Sequence, residues 1–141
     1  KEYVSSLSQR AAGYSIDIIT NGTYDELQSY YRKASVYWHA AGFGESDPTL
    51  QEHFGISTVE AMAYGCVPIV YRGGGLVEIV KEAKNGYLWD TPDELIHKTS
   101  EIIRNPSLST RLAKHCIAGS RNFDETVFFT AFDKLIYRIT S

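Results

Sequence analysis

Short apolar segments alternate along this chain with segments whose apolar residues recur at helical spacing. The apolar segments are rich in β-branched and aromatic residues, which is typical of short buried strands. The predicted strands are residues 15–20, 35–39, 67–71 and 86–89. The predicted helices are residues 2–12, 24–34, 56–64 and 76–83, then one beginning near Pro92, one over 107–119 and one over 124–139.

Strands that alternate with helices predict an α/β fold with a parallel sheet covered by helices on both faces. Ligands of such sheets bind beyond the carboxyl ends of the strands. The loops after Thr20, His39 and Tyr71 are therefore expected to share one rim of the sheet. The loop over residues 40–54 is long for a compact domain, which favours a functional role.

The last predicted helix carries an apolar stripe that we expect to be mostly core, with part of it available to brace another domain. Its residues are Val127, Phe128, Ala131, Phe132, Leu135, Ile136 and Ile139.

Composition narrows the class of protein without identifying it. The 141 residues carry a net charge of −3 and 22% charged residues, which suits an ordinary globular domain and speaks against a nucleic-acid partner. No apolar run approaches the roughly 20 residues of a membrane span. The chain begins at Lys1 and its only methionine is Met62, so we expect a piece of a longer protein.

Cys66 and Cys116 are expected to be two buried thiols, with a lone disulfide as the alternative. The four histidines show no zinc-type spacing with each other or with the cysteines, so no metal is expected.

Residues 51–60 carry the most informative chemistry. The backbone N–H groups at the start of the helix have no intrahelical partner and favour an anion such as phosphate. Gly55 permits close approach to that backbone. Glu52 precedes the helix and Glu60 lies about one turn into it, so two carboxylates bracket the anion site. Carboxylates repel phosphates and suit sugar hydroxyls instead.

Glu52 and Glu60, with seven residues between them, resemble the E-x7-E signature of family 4 retaining glycosyltransferases. The similarity extends over residues 52–70, 73–80 and 85–89, and Asn21-Gly22 fits the base-side loop of that family. The resemblance implies the nucleotide-sugar-binding domain of a two-domain GT-B enzyme over residues 1–141. It further implies a Rossmann-like sheet that lacks its first strand or strands, followed by C-terminal helices.

The resemblance also implies residue roles. Glu60 would bind the ribose, and Glu52 would act as the catalytic-site residue that faces the transferred hexose. The N–H groups of Phe54, Gly55 and Ile56 would touch the sugar, and those of Ser57 and Thr58 the diphosphate. Asn21 and Gly22 would lie against the base. No metal or other cofactor is expected.

The family's diphosphate-binding Arg and Lys and its acceptor-binding N-terminal domain are not found in this chain. Arg72 is a candidate partial substitute for the missing basic residues. Membrane association is expected only through parts outside the chain, and the expected location is cytoplasmic.

Other interpretations stay open. Ser57 to Glu60 also reads as a helix capping box, and Gly73–Gly75 as a simple tight turn. A nucleotide-sugar epimerase, a phosphorylase-like enzyme and a non-catalytic nucleotide-sugar-binding module are the alternative functions.

Overall fold

The structure is a computed structural model that describes residues 2–140. The chain divides into two compact units, the first ending at Tyr30 and the second beginning at Tyr31. Each unit is described separately below.

The first unit holds helix α1 (Glu2–Ala11) and the start of helix α2 (Tyr24–Lys33). The N–H of Thr23 donates to a Glu26 carboxylate oxygen at 2.7 Å, and the N–H of Glu26 donates back to the Thr23 hydroxyl at 3.2 Å. This reciprocal pair is a capping box that begins α2 at Thr23.

The strand predicted over residues 15–20 is wrong. The segment is irregular, and Ile16 and Ile19 are half exposed, at 57% and 50%. A strand requires a neighbour that accepts and donates its ladder hydrogen bonds. Among residues 2–140, no strand pairs with this segment, and its β-branched residues alone do not specify a strand.

The second unit contains a parallel sheet in the order β1 (Val36–His39), β2 (Val67–Tyr71), β3 (Tyr87–Trp89). His39 is in register with Val70, and Tyr71 with Trp89, so the three strands end at one rim. Within residues 2–140 the sheet has three strands where four were predicted. The predicted α/β class and parallel direction are confirmed.

Within residues 31–140 the second unit contains five further helices, with one short 3-10 turn before the first of them and another between the last two. The helices are α3 (Ile56–Ala63), α4 (Leu76–Ile79), α5 (Pro92–Arg104), α6 (Pro106–Ser120) and α7 (Glu125–Thr140). The turns are Pro48–Leu50 and Arg121–Phe123.

Helix α4 is shorter than the predicted 76–83 because Asn85 captures the backbone after it. The Asn85 side chain accepts from the N–H of Lys81 at 2.6 Å and donates to the carbonyl of Ile79 at 3.1 Å. These bonds replace the hydrogen bonds that a longer helix would have made.

The core lies between the sheet and the helices α3, α4, α5 and α6. Its fully buried members include Met62, Ile69, Leu76, Ile102 and Leu112. Cys66 and Cys116 are free and buried, which confirms the two-thiol prediction.

The apolar stripe of α7 is not core, so that prediction is wrong. No residue of α7 is buried in the described structure, and Phe128 is 63% exposed. An amphipathic pattern shows that a face needs a partner and does not show that residues 2–140 supply one.

Candidate functional site

The site is built on the connection from β1 to α3. Residues 40–55 leave the end of the sheet, form the 3-10 turn Pro48–Leu50 and return to the start of α3. The turn is capped by Asp47, whose carboxylate accepts from the N–H of Thr49 at 2.8 Å. The loop therefore has a local structure of its own before it reaches Glu52.

Gly55 is the N-cap of α3 and adopts a left-handed conformation at φ 100° and ψ 51°. A Cβ atom there would lie 2.7 Å from the side chain of Leu76, so both conformation and space favour glycine. The carbonyl of Gly55 accepts from the N–H groups of Thr58 and Val59. No side chain caps this helix start.

The N–H groups of Gly55, Ile56 and Ser57 have no acceptor among residues 2–140. Three backbone donors are thus available at the positive end of α3. The capping-box interpretation is wrong because Gly55 is the N-cap and Ser57 lies inside the helix.

Two tyrosines fix the start of α3 to the rest of the unit. The hydroxyl of Tyr37 lies 2.8 Å from the hydroxyl of Ser57, and the hydroxyl of Tyr31 donates to the Ser57 carbonyl at 3.4 Å. Tyr31 stacks on Tyr64, with ring centroids 5.9 Å apart. Ser57, predicted as a ligand-binding residue, therefore uses its side chain and carbonyl for support and leaves its N–H available.

Burial raises the pKa of Tyr37, its hydrogen bond with Ser57 lowers it, and the carboxylates of Glu52 and Glu60 raise it further. Both glutamates are therefore close enough to the end of β1 to act on the same phenol. The two carboxylates that the sequence singled out thus both act on the Tyr37 phenol.

Glu52 is held at three atoms. Its carboxylate Oε2 lies 3.4 Å from Nε2 of His39, and its Oε1 accepts from the N–H of Phe54 at 3.3 Å. Its carbonyl accepts from the N–H of Gly75 at 2.8 Å. With 30% of its side chain exposed, Glu52 remains accessible from solvent.

The glycine loop after β2 lies directly against this segment. The N–H of Gly74 donates to Oε1 of Gln51 at 2.9 Å. A Cβ atom on Gly74 would lie 2.0 Å from the Glu52 carbonyl oxygen, and one on Gly75 would lie 2.2 Å from that of His53. The loop is thus a tight packing turn whose amides are already used. Sequence analysis missed Gln51, although a triple glycine after a strand signals close backbone approach.

Arg72 does not face a free anion site. Its Nε donates to Asp90 at 2.9 Å and its Nη2 lies 4.0 Å from Glu82. The hydrogen bond with Asp90 raises the pKa of the guanidinium. Arg72 is therefore occupied by acidic neighbours, which argues against it as a substitute for the family's basic residues.

Asn21 and Gly22 lie in the first unit. Asn21 has a left-handed φ of 56°, and a Cβ atom on Gly22 would contact Ile19 and Glu26. Their predicted position against a nucleotide base stays a prediction.

Comparison with known proteins decides the family. The model of the family described as glycosyl transferases group 1 matches residues 1–122. The chain belongs to this family. It is 33% identical over 110 residues to an uncharacterized glycosyltransferase of Methanocaldococcus jannaschii, covering 77% of this chain and 29% of that protein.

A second relative is the GDP-Man:Man(3)GlcNAc(2)-PP-Dol alpha-1,2-mannosyltransferase of Dictyostelium discoideum. It is 30% identical over 113 residues, which cover 79% of this chain and 21% of the relative. This member of the glycosyl transferases group 1 therefore spans less than a third of either relative.

Among solved structures, Anabaena HepE in complex with UDP-glucose has a similar fold. The TM-score is 0.78 at 22% identity, over 97% of this chain and 37% of that chain. This likeness confirms the predicted Rossmann-like fold of a GT-B C-terminal domain. Within residues 2–140, no helix has the length and apolarity needed to cross a bilayer.

Proposed function

We propose that this chain is the donor-binding part of a retaining, metal-independent glycosyltransferase that transfers a hexose from a nucleotide-diphosphate sugar to an acceptor. The observation that carries the proposal is the uncapped start of α3, where free backbone donors lie between Glu52 and Glu60 at the carboxyl rim of the sheet.

The chemistry of this arrangement suits a nucleotide sugar. Free N–H groups at a helix start attract a diphosphate, and the helix dipole adds to that attraction. Breaking the glycosidic bond leaves extra negative charge on the diphosphate. Hydrogen-bond donors that are already in place there lower the free-energy barrier to this step. The remaining positive charge is proposed to come from an Arg and a Lys outside this chain.

The two carboxylates are proposed to position the ligand. Glu60 accepts from the ribose hydroxyls, and Glu52 accepts from the 3- and 4-hydroxyls of the sugar. Of the five predicted backbone contacts, Gly55, Ile56 and Ser57 have free N–H groups. The N–H of Phe54 is bonded to Glu52 and that of Thr58 to the Gly55 carbonyl, so these two contribute as scaffold until a ligand displaces their partners.

The rest of the proposal concerns the acceptor, the nucleotide base and the location of the enzyme. An N-terminal domain is proposed to bind most of the acceptor, and any membrane association is proposed to reside there. Asn21 and Gly22 are proposed to face the base, and the enzyme is proposed to work in the cytoplasm. The names of the two relatives, a glycosyltransferase and a mannosyltransferase, favour sugar transfer over the epimerase, phosphorylase and binding-module alternatives.

The test is calorimetric titration of the full-length protein with UDP, GDP, UDP-glucose and GDP-mannose. We expect Glu60→Gln to weaken a nucleotide sugar and its nucleoside diphosphate equally, by about tenfold, since one charge-assisted hydrogen-bonding group is lost. Glu52→Gln should weaken only the nucleotide sugar. If the wild-type protein binds none of these four ligands at millimolar concentration, the proposal is contradicted.

A further inference from the structure

The contact between His39 and Glu52 extends the proposed function and rests on it. His39 is the last residue of β1, and its side chain is only 12% exposed. Its Nε2 lies 3.4 Å from Glu52 Oε2. Nothing in the family's E-x7-E pattern includes His39, which lies 13 positions before Glu52 in the chain.

The His39 imidazole lies largely buried beside the Tyr37 ring. The Tyr37 ring lies 6.2 Å from the His39 ring, on the same face of β1 because the two residues are two positions apart. The Nδ1 atom of His39 is buried and has no hydrogen-bond partner among residues 2–140. Nε2 is therefore the ring nitrogen that has a polar neighbour, and that neighbour is the Glu52 carboxylate.

The same face of β1 thus supports both sides of the Gly55 turn. Tyr37 contacts Ser57 beyond the turn, and His39 contacts Glu52 before it. One oxygen of the Glu52 carboxylate lies 3.4 Å from Nε2 of His39, and the other accepts from the Phe54 N–H. Such contacts are often long without ligand and shorten in the complex.

We propose that His39 is a positioning residue that orients the Glu52 carboxylate toward the hydroxyls of the transferred sugar. His39 acts through Glu52 and does not itself touch the diphosphate. Substitution of His39 should therefore weaken binding of the sugar portion of the ligand and leave binding of the nucleotide portion unchanged. A residue that only stabilises the fold would affect the two parts of the ligand alike.

The experiment compares His39→Asn with His39→Gln in the full-length protein, titrated with UDP-glucose, GDP-mannose, UDP and GDP. The amide nitrogen of glutamine reaches about as far as Nε2, whereas that of asparagine corresponds to Nδ1. We expect His39→Asn to weaken nucleotide-sugar binding about tenfold and to change nucleoside diphosphate binding by less than about twofold. His39→Gln should retain most of the affinity, and His97→Asn, at an exposed position on α5, should change nothing.

A double variant makes the test sharper. If His39 acts through Glu52, then His39→Asn should add almost no further loss to Glu52→Gln, since coupled residues are not additive. Equal loss of nucleotide sugar and nucleoside diphosphate in His39→Asn overturns the inference, as does full additivity with Glu52→Gln or wild-type affinity. In each of these cases the proposed function survives. Failure of the wild type to bind any of the four ligands overturns both.

Discussion

The loops that follow β1 and β2 carry glycines, lie at the same rim and lead into helices, yet their backbone amides have opposite fates. At the start of α3 the N–H groups of Gly55, Ile56 and Ser57 are free. In the second loop the N–H groups of Gly74 and Gly75 are bonded to Gln51 and Glu52. We therefore place the proposed anion site at the unused donors of α3 and not at the glycines of the second loop.

The two loops also depend on each other. The glycine loop has no space for side chains because the backbone of residues 52–54 lies against it. This contact holds the main chain at Glu52, while the Phe54 N–H donates to its carboxylate and His39 lies beside it. The first loop is thus the proposed ligand site and the second is its support.

The largest expected loss of stability comes from a substitution in the glycine loop, which supports the proposed ligand site. Gly74→Ala places a Cβ atom 2.0 Å from the Glu52 carbonyl oxygen at a φ of +52°, so the loops must separate. We expect a loss of about 3 kcal/mol or more in the free energy of unfolding, measured by urea denaturation. Gly44→Ala is the matched control, because Gly44 has a φ of +82° and nothing within 4 Å of an added Cβ atom. It should cost only about 1–2 kcal/mol. Equal losses would show that the loops are not in close contact.

A smaller effect is expected where β1 meets α3. Tyr37→Phe removes the hydroxyl that lies 2.8 Å from that of Ser57, and should destabilise the protein by about 1 kcal/mol. A double-mutant cycle with Ser57→Ala should give a coupling energy of at least about 0.5 kcal/mol, measured by urea unfolding. The exposed Tyr3→Phe serves as the control and should be neutral. Full additivity would contradict this link.

Loss of the Gln51 side chain should be milder still. Gln51→Ala leaves the N–H of Gly74 without its acceptor, at an exposed position where water replaces it. We expect a loss of about 0.5–1 kcal/mol in the free energy of unfolding. The variant also frees an amide in the glycine loop, yet phosphate affinity should not rise, because the loop still packs against residues 52–54. Tighter binding of UDP or GDP in calorimetry would contradict this.

Sequence reasoning succeeded where a local pattern has one structural solution. The parallel sheet, the Gly55 turn and the position of Glu52 beside the end of β1 follow from apolar runs, helix starts and strand order. The predictions were wrong where a segment needs a neighbouring segment to pair with or pack against. Residues 15–20 have the composition of a strand but no neighbour to pair with, and the apolar face of α7 has no described cover.

Contacts between residues that are far apart in the chain could not be predicted from the sequence either. Gln51 and Gly74 are 23 positions apart, and the partners of Arg72 follow only from the fold. Glu82 and Asp90 occupy that guanidinium, although its position at the rim suggested a phosphate contact.

The smallest expected signal is the reaction of the two buried cysteines, Cys66 and Cys116, with a thiol reagent. Burial raises the pKa of Cys66 and raises that of Cys116 to about 12, so the reactive thiolate is scarce near neutral pH. Neither thiol should react with a thiol-specific dye at pH 8 in the folded protein, and both should react in urea. Because the folded pKa of Cys116 is raised, its contribution to stability is present below about pH 9 and declines as the pH rises toward 12. Rapid labelling of the folded protein would contradict its burial.

The most direct measurement is hydrogen–deuterium exchange of the full-length protein with and without saturating UDP or GDP, read on peptides that separate residues 53–60 from residues 72–77. If the free amides at the start of α3 bind the diphosphate, the first peptide gains protection and the second, whose amides at residues 72–75 are already bonded, changes little. Protection confined to the glycine loop, or no protection at residues 53–60 when nucleotide is bound, would contradict the assignment.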